Sequence, residues 1–114
     1  MSTVTTHILD TARGQPGAGI GVTLAVMGLA DKWNRLAAAN TDAEGRVRSF
    51  LPPGKPLEPG TYRLRFDTGA YHAAHGLHAF FPYVDVVFAI REPGTHFHVP
   101  LLLSPFGYST YRGS

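Results

Sequence analysis

Turn-forming residues interrupt this chain so often that long helices have little room to form. Thirteen glycines and nine prolines recur at intervals of roughly eight to twelve residues, a spacing typical of β-sandwiches and barrels. Between them lie short runs rich in Val, Ile, Leu, Phe, Thr and Tyr, side chains that pack well on a pleated surface. Strands are predicted from Thr3 to Asp10, Gly21 to Gly28, Lys32 to Asn40 and Arg46 to Ser49. Further strands are predicted from Thr61 to Asp67, Tyr83 to Arg91, His96 to Leu103 and Tyr108 to Arg112. Thr41 to Gly45 reads as a hairpin turn, with Gly45 free to take a positive φ. The proline-rich stretch Leu51 to Pro59 reads as a loop, because proline cannot donate to a ladder. Only Thr68 to Leu77 resembles a helix, with Gly76 placed to stop it. No repeat or composition shift divides the chain, so residues 1–114 are expected to form one all-β domain of two packed antiparallel sheets.

Composition narrows the function classes. With 44% hydrophobic and 16% charged residues, the chain belongs with globular rather than disordered proteins. So little charge also suggests that other subunits cover part of the surface. The formal net charge is +2, and eight of the ten basic residues are arginine, Lys32 and Lys55 being the exceptions. Scattered arginines make a poor polyanion track, which argues against nucleic acid, but they suit forked contacts to planar polar ligands. Without cysteine, disulfide and thiolate chemistry are excluded. No signal peptide and no apolar run of membrane-spanning length is visible, so the expected location is cytoplasmic and no membrane partner is expected.

The histidines fall into two groups. His72, His75 and His78 are spaced by three on and just beyond the predicted helix. No cysteine or suitably placed carboxylate completes a metal set, so they read as polar helix-face residues. His96 and His98 stand two apart on a strand, so both rings share one face and Phe97 and Val99 take the other. By spacing alone such a pair is either solvated or an acid–base platform, since imidazole titrates near working pH. His7 holds a similar place in the first strand, and Arg46 opens a strand directly after the turn. The chain closes on Tyr111-Arg112-Gly113-Ser114, an aromatic, a guanidinium, a glycine and a hydroxyl together. Terminal tetrapeptides usually fray, so composition alone makes this a weak hint.

Taken in order, these pieces resemble the 5-hydroxyisourate hydrolases of the transthyretin-like family. The resemblance rests on Thr6-His7-Ile8-Leu9-Asp10-Thr11 followed by Gly14 to Ala18, on the turn Thr41 to Arg46, on His96 to Pro105, and on the terminal Tyr-Arg-Gly-Ser. It spans essentially the whole sequence. Glu44 stands where the family's turn more often has Asp, and Phe97 where Tyr is common. The resemblance implies a transthyretin-like (prealbumin-like) sandwich of two four-stranded antiparallel sheets with one short helix. It also implies a homotetramer, a dimer of dimers, with active sites at subunit interfaces and with neither metal nor organic cofactor. The implied reaction is hydrolytic ring opening of the small molecule 5-hydroxyisourate in purine catabolism.

Carried onto this sequence, the implied catalytic residues are His7, Arg46, His98 and Ser114. His7 and Arg46, with Tyr111, Arg112 and Gly113, would also bind substrate. His98 is favoured as the base that takes a proton from water, with His7 orienting water or substrate, although the sequence leaves open which histidine is the base. Arg46 would clamp the planar ring. His96 is read as a supporting neighbour outside the set. Three competitors remain: a carrier of a small aromatic ligand, a purely structural sandwich, and a zinc hydrolase built on His7, His96 and His98. The polar set argues against the carrier, which would be better served by a greasier lining.

Overall fold

A computed structural model describes residues 3–50, 57–92 and 95–113 of the chain. Its strands are β1 (Thr3–Asp10), β2 (Gln15–Pro16), β3 (Gly21–Met27), β4 (Trp33–Asn40), β5 (Arg46–Val47), β6 (Gly60–Phe66), β7 (Val84–Ile90), β8 (His96–Ser104) and β9 (Gly107–Thr110). The helix α1 spans Thr68–Ala74. One sheet runs β2-β1-β8-β9, with β5 pairing alongside β1, and the other runs β4-β3-β6-β7. Most of the proline-rich connection from Leu51 to Pro59 lies outside the described residues.

Period-two alternation produces the sandwich. Along β1, Val4, Thr6, Ile8 and Asp10 are buried, while the residues between them reach towards solvent. On β8, Phe97, Val99, Leu101 and Leu103 point inward. They meet Leu24, Leu64 and Phe66 from the opposing sheet, all completely buried. Fully burying one such side chain is worth about 1.5–3 kcal/mol. The inner faces therefore hold the sheets together, and the outer faces are left free for polar groups.

Two features depart from the sequence expectation. The second sheet is antiparallel throughout, but β1 and β8 run parallel, Thr3 opposite His96 through Asp10 opposite Leu103. Parallel neighbours need a long crossover, and here nearly the whole chain supplies it. The first sheet also gains a two-residue strand, β2, while the strand predicted from Arg46 to Ser49 is shorter, as β5, and both pair with β1. The Thr41–Gly45 turn is thus no hairpin: it carries the chain from β4 in one sheet to β5 in the other.

α1 ends one turn earlier than predicted, and Gly76 stops it as expected. Gly76 adopts φ +72°, its N–H donates to the Ala73 carbonyl, and the Leu77 N–H donates to the His72 carbonyl. This pairing closes a helix through a left-handed residue. Buried Asp10 ties the helix to the first sheet. Its Oδ2 accepts the Tyr71 hydroxyl at 2.7 Å, and its Oδ1 accepts the N–H groups of Ala12 and Arg13. Burial pushes the Asp10 carboxyl up, but these hydrogen bonds and the Arg13 charge outweigh it and hold the group below 3.8.

Candidate active site

The turn sets Arg46. Asp42 Oδ1 accepts the N–H groups of Glu44 (2.9 Å) and Arg46 (3.0 Å), and Gly45 takes φ +78°. A Cβ on residue 45 would lie 2.4 Å from the Ile8 carbonyl oxygen, so only glycine fits against β1. The Gly45 carbonyl accepts the Ile8 N–H at 2.7 Å, docking the turn on that strand. β5 then pairs Arg46 directly opposite His7. His7 Nε2 lies 2.9 Å from the Glu44 carbonyl, which can only accept, so that nitrogen carries a proton and donates it.

On the other side of β1, the parallel register sets Thr5 opposite His98 and Thr3 opposite His96. The inward residues of β8 are apolar, so both imidazoles stand on the outer face. Thr3 Oγ1 is 2.5 Å from His96 Nδ1. Thr5 Oγ1 lies 3.1 Å from His96 Nε2 and 2.8 Å from His98 Nδ1. Behind them, the Thr6 hydroxyl donates to the Val99 carbonyl at 2.6 Å and stiffens the ribbon.

These groups surround an open hollow of about 340 Å³ lined by Thr5, Arg46, Arg48, His96 and His98, with Thr6 and Val47 at its floor. Arg48 is engaged by its own turn, donating to Glu44 Oε2 and lying 3.7 Å from Asp42. Burial first, then the positive charge of Arg46 and lesser effects of His96 and His7, hold His98 below the ordinary histidine value of 6.5. Near neutral pH, therefore, His98 is uncharged, as a general base must be before it takes a proton.

The chain's end closes on the same residue. The Gly113 N–H donates to the His98 carbonyl at 2.7 Å, forming a bridge that continues beyond β9. A Cβ at position 113 would fall 2.6 Å from His98 Cδ2, so glycine lets the tail pass beside the ring. Tyr111 and Arg112 turn elsewhere. They line a groove with Val86, Phe88 and Phe97, and the Arg112 guanidinium sits 4.7 Å from the Phe97 ring centroid. One chain therefore sets Arg46 and His98 on one hollow, with His7 paired opposite Arg46 and Gly113 beside His98 though neither lines it, and carries Tyr111 and Arg112 to the other side of β8. Ser114 lies outside the described residues.

Among the described residues, no group of three or more His, Cys, Asp or Glu side chains is arranged to hold a metal ion. The helical histidines have other places. His72 is fully buried rather than polar surface, against the sequence expectation, and neither of its ring nitrogens has a hydrogen-bond partner. His75 caps α1, accepting from Arg13 at Nε2 (2.9 Å) with its Nδ1 2.9 Å from the Tyr71 carbonyl. Sequence reasoning missed Thr5 and placed His96 outside the set. The alternation Thr3, Thr5, His7 on one face of β1 was the available signal, but its meaning depended on knowing that β8 lies alongside.

The HIUase/Transthyretin family model matches residues 4–113. The chain belongs to that family. A 5-hydroxyisourate hydrolase of Caulobacter vibrioides is 50% identical, with both chains covered end to end. A structure of the Klebsiella pneumoniae 5-hydroxyisourate hydrolase superposes with a TM-score of 0.86 at 41% identity, covering 98% of this chain and 99% of that one. Sea bream transthyretin, solved in complex with thyroxine, superposes at 0.91 with 30% identity over 97% of this chain and 94% of its own. Backbone likeness thus spans a 5-hydroxyisourate hydrolase and a thyroxine-bound transthyretin alike, so the fold alone does not separate an enzyme from a binding protein, and the side chains around the hollow must.

Proposed function

We propose that this chain opens the ring of 5-hydroxyisourate by hydrolysis, yielding 2-oxo-4-hydroxy-4-carboxy-5-ureidoimidazoline in urate catabolism. The observation that carries this reading is that Arg46 and His98 face one polar hollow, in a chain half identical to a hydrolase of that name. His98 takes a proton from water, and the resulting hydroxide attacks a ring carbonyl. Arg46, forked and permanently charged, holds the planar ring and steadies the oxyanion. His7, with Nε2 committed to the Glu44 carbonyl, offers Nδ1 to orient substrate or water. The hollow supplies His98 and Arg46, and β1 supplies His7 opposite Arg46, for a reading that calls on no metal or organic cofactor.

The site is assigned to a homotetramer, a dimer of dimers, in which subunits close over one another's hollows. Two features support this: the hollow lies open on an outer sheet face, and Tyr111 is exposed beside a largely apolar groove. Tyr111, Arg112 and Ser114 would then complete the substrate wall from the tail. Residues 1–114 act as one domain, which the family match over residues 4–113 supports, and the absence of cysteine suits work in the cytoplasm. No helix among the described residues is long and apolar enough to cross a membrane. The carrier reading draws on the likeness to transthyretin, but two imidazoles and two guanidiniums make a costly lining for an apolar ligand. Substrate generated in situ with urate oxidase, followed by its ultraviolet decay, tests the proposal: the protein should speed decay well beyond the spontaneous rate. No acceleration would shift the assignment to the carrier.

A further inference from the structure

His98 and His96 share one hydroxyl, and this linkage does more than hold them in place. Thr5 Oγ1 carries a single proton, yet it contacts His98 Nδ1 at 2.8 Å and His96 Nε2 at 3.1 Å, while His96 Nδ1 meets Thr3 Oγ1. Such a hydroxyl can donate to only one ring, and when it does so it must accept from the other; its two lone pairs also let it accept from both. With Thr5 donating to one of the two rings, the chain has two self-consistent arrangements. In the first, His98 Nδ1–H donates to Thr5, Thr5 donates to His96 Nε2, and His96 Nδ1–H donates to Thr3. In the second, every one of these donors is reversed, and His98 holds its proton at Nε2.

Of these two, only the first leaves a lone pair on His98 Nε2, and no described residue hydrogen-bonds that nitrogen; it is also the arrangement in which Thr5 can pass a proton on to His96. We propose that Thr5 is a positioning residue that holds His98 in this base-competent tautomer and relays the proton it gains to His96. The step balances. Water gives a proton to His98 Nε2, the His98 Nδ1 proton passes to Thr5 Oγ1, and the Thr5 hydroxyl proton passes to His96 Nε2. The hydroxide left behind bonds to the ring carbonyl carbon. One proton has left water, one has arrived at His96, and His98 is neutral again in the opposite tautomer.

Charge placement favours the transfer. A cationic His98 would sit partly buried in a hollow that also holds Arg46 and Arg48, with His7 on the neighbouring strand and the Gly113 backbone bridged to it. His96 lies at the solvent-exposed end of β8, where an added charge is hydrated. In the reverse direction His98 Nε2–H protonates the leaving ring nitrogen, His96 returns its Nε2 proton to Thr5, and Thr5 returns its own to His98 Nδ1. The relay thereby resets the site.

This inference rests on the proposed hydrolysis for its catalytic meaning, but the tautomer can be measured without substrate. Nitrogen-15 spectra of the histidine side chains should show neutral His98 as the Nδ1–H form in the wild type and a shift towards Nε2–H in Thr5→Val. Turnover by Thr5→Val should fall at least about tenfold with KM within about twofold, short of the roughly 10⁴-fold loss that a wrongly protonated catalytic imidazole can cause. Thr5→Ser should recover most of the loss, which a mere packing defect would not allow. His96→Gln should also be slow, and added imidazole buffer should accelerate it by carrying the proton away. Wild-type His98 found in the Nε2–H form, or Thr5→Val turning over within twofold of wild type, would overturn the relay. If the wild-type protein fails to speed substrate decay, the hydrolase reading falls, and the histidine spectra still decide the hydrogen-bond chain.

Discussion

The two histidine groups of this protein are equally conspicuous in sequence and opposite in use. His96 and His98 stand on the outer face of β8, facing a hollow that Arg46 shares. His72 and His75 belong to α1 and its cap: one is sealed inside, and the other is tied to Arg13 and the Tyr71 carbonyl. Spacing gave both groups a claim to chemistry. What separates them is which face each residue occupies and what lies across from it: a neighbouring strand that brings threonines and His7, or a helix docking site that brings Tyr71 and Asp10. A polar cluster becomes a candidate site when it faces an open hollow, and becomes architecture when it is sealed in the core, as His72 is, or tied to its neighbours, as His75 is.

The largest effect that could break this contrast is on turnover. His98→Ala should slow substrate decay by about 10²–10⁴-fold, the usual contribution of a general base, with the thermal midpoint little changed. His75→Gln should leave the rate per folded molecule unaltered. Equal losses in the two variants, measured side by side, would erase the distinction. Next comes Tyr71→Phe, which strips buried Asp10 of its 2.7 Å partner and should cost about 1–3 kcal/mol in chemical denaturation without altering KM.

pH sharpens the same contrast. Because His98 is held below 6.5 by burial and then by Arg46, the acid limb of the rate profile should lie below that value. In Arg46→Gln the limb should move upward as the positive neighbour is removed. Stability runs on another group. Asp10, held below 3.8, binds its proton less readily folded than unfolded. Its contribution is therefore present above 3.8 and lost as pH falls through the lower folded value. A titration of unfolding free energy in wild type and Asp10→Asn would show this acid loss in the first and not the second. The smallest effect belongs to His72→Leu. Since neither ring nitrogen has a partner, a leucine of similar bulk should keep stability within about 1 kcal/mol or raise it, as thermal unfolding would record.

Much of the fold was legible because β-structure writes its faces with a period of two. Val4, Thr6 and Ile8 point inward as the alternation of β1 requires, Gly45 takes the positive φ expected of it, and Gly76 stops α1. The candidate site was legible where a local pattern positions a residue: Arg46 after its turn, His98 on its strand. Cross-strand facts were not. Nothing local says that β1 lies parallel to β8, so the role of Thr5 between two imidazoles was invisible. For the same reason the turn after β4 looked like a hairpin, although β5 pairs with β1. Burial of His72 was hidden because a three-residue spacing does not say which helix face meets the core.

One measurement reaches the central claim directly. Side-chain resonances of all six histidines can be followed while an unreactive planar oxopurine such as urate is titrated into the protein. The outer-face hollow as binding site predicts that His98, His96 and His7 shift together with one saturation curve, while His72, His75 and His78 stay still. Movement of the helical histidines with no response from His98 would contradict it.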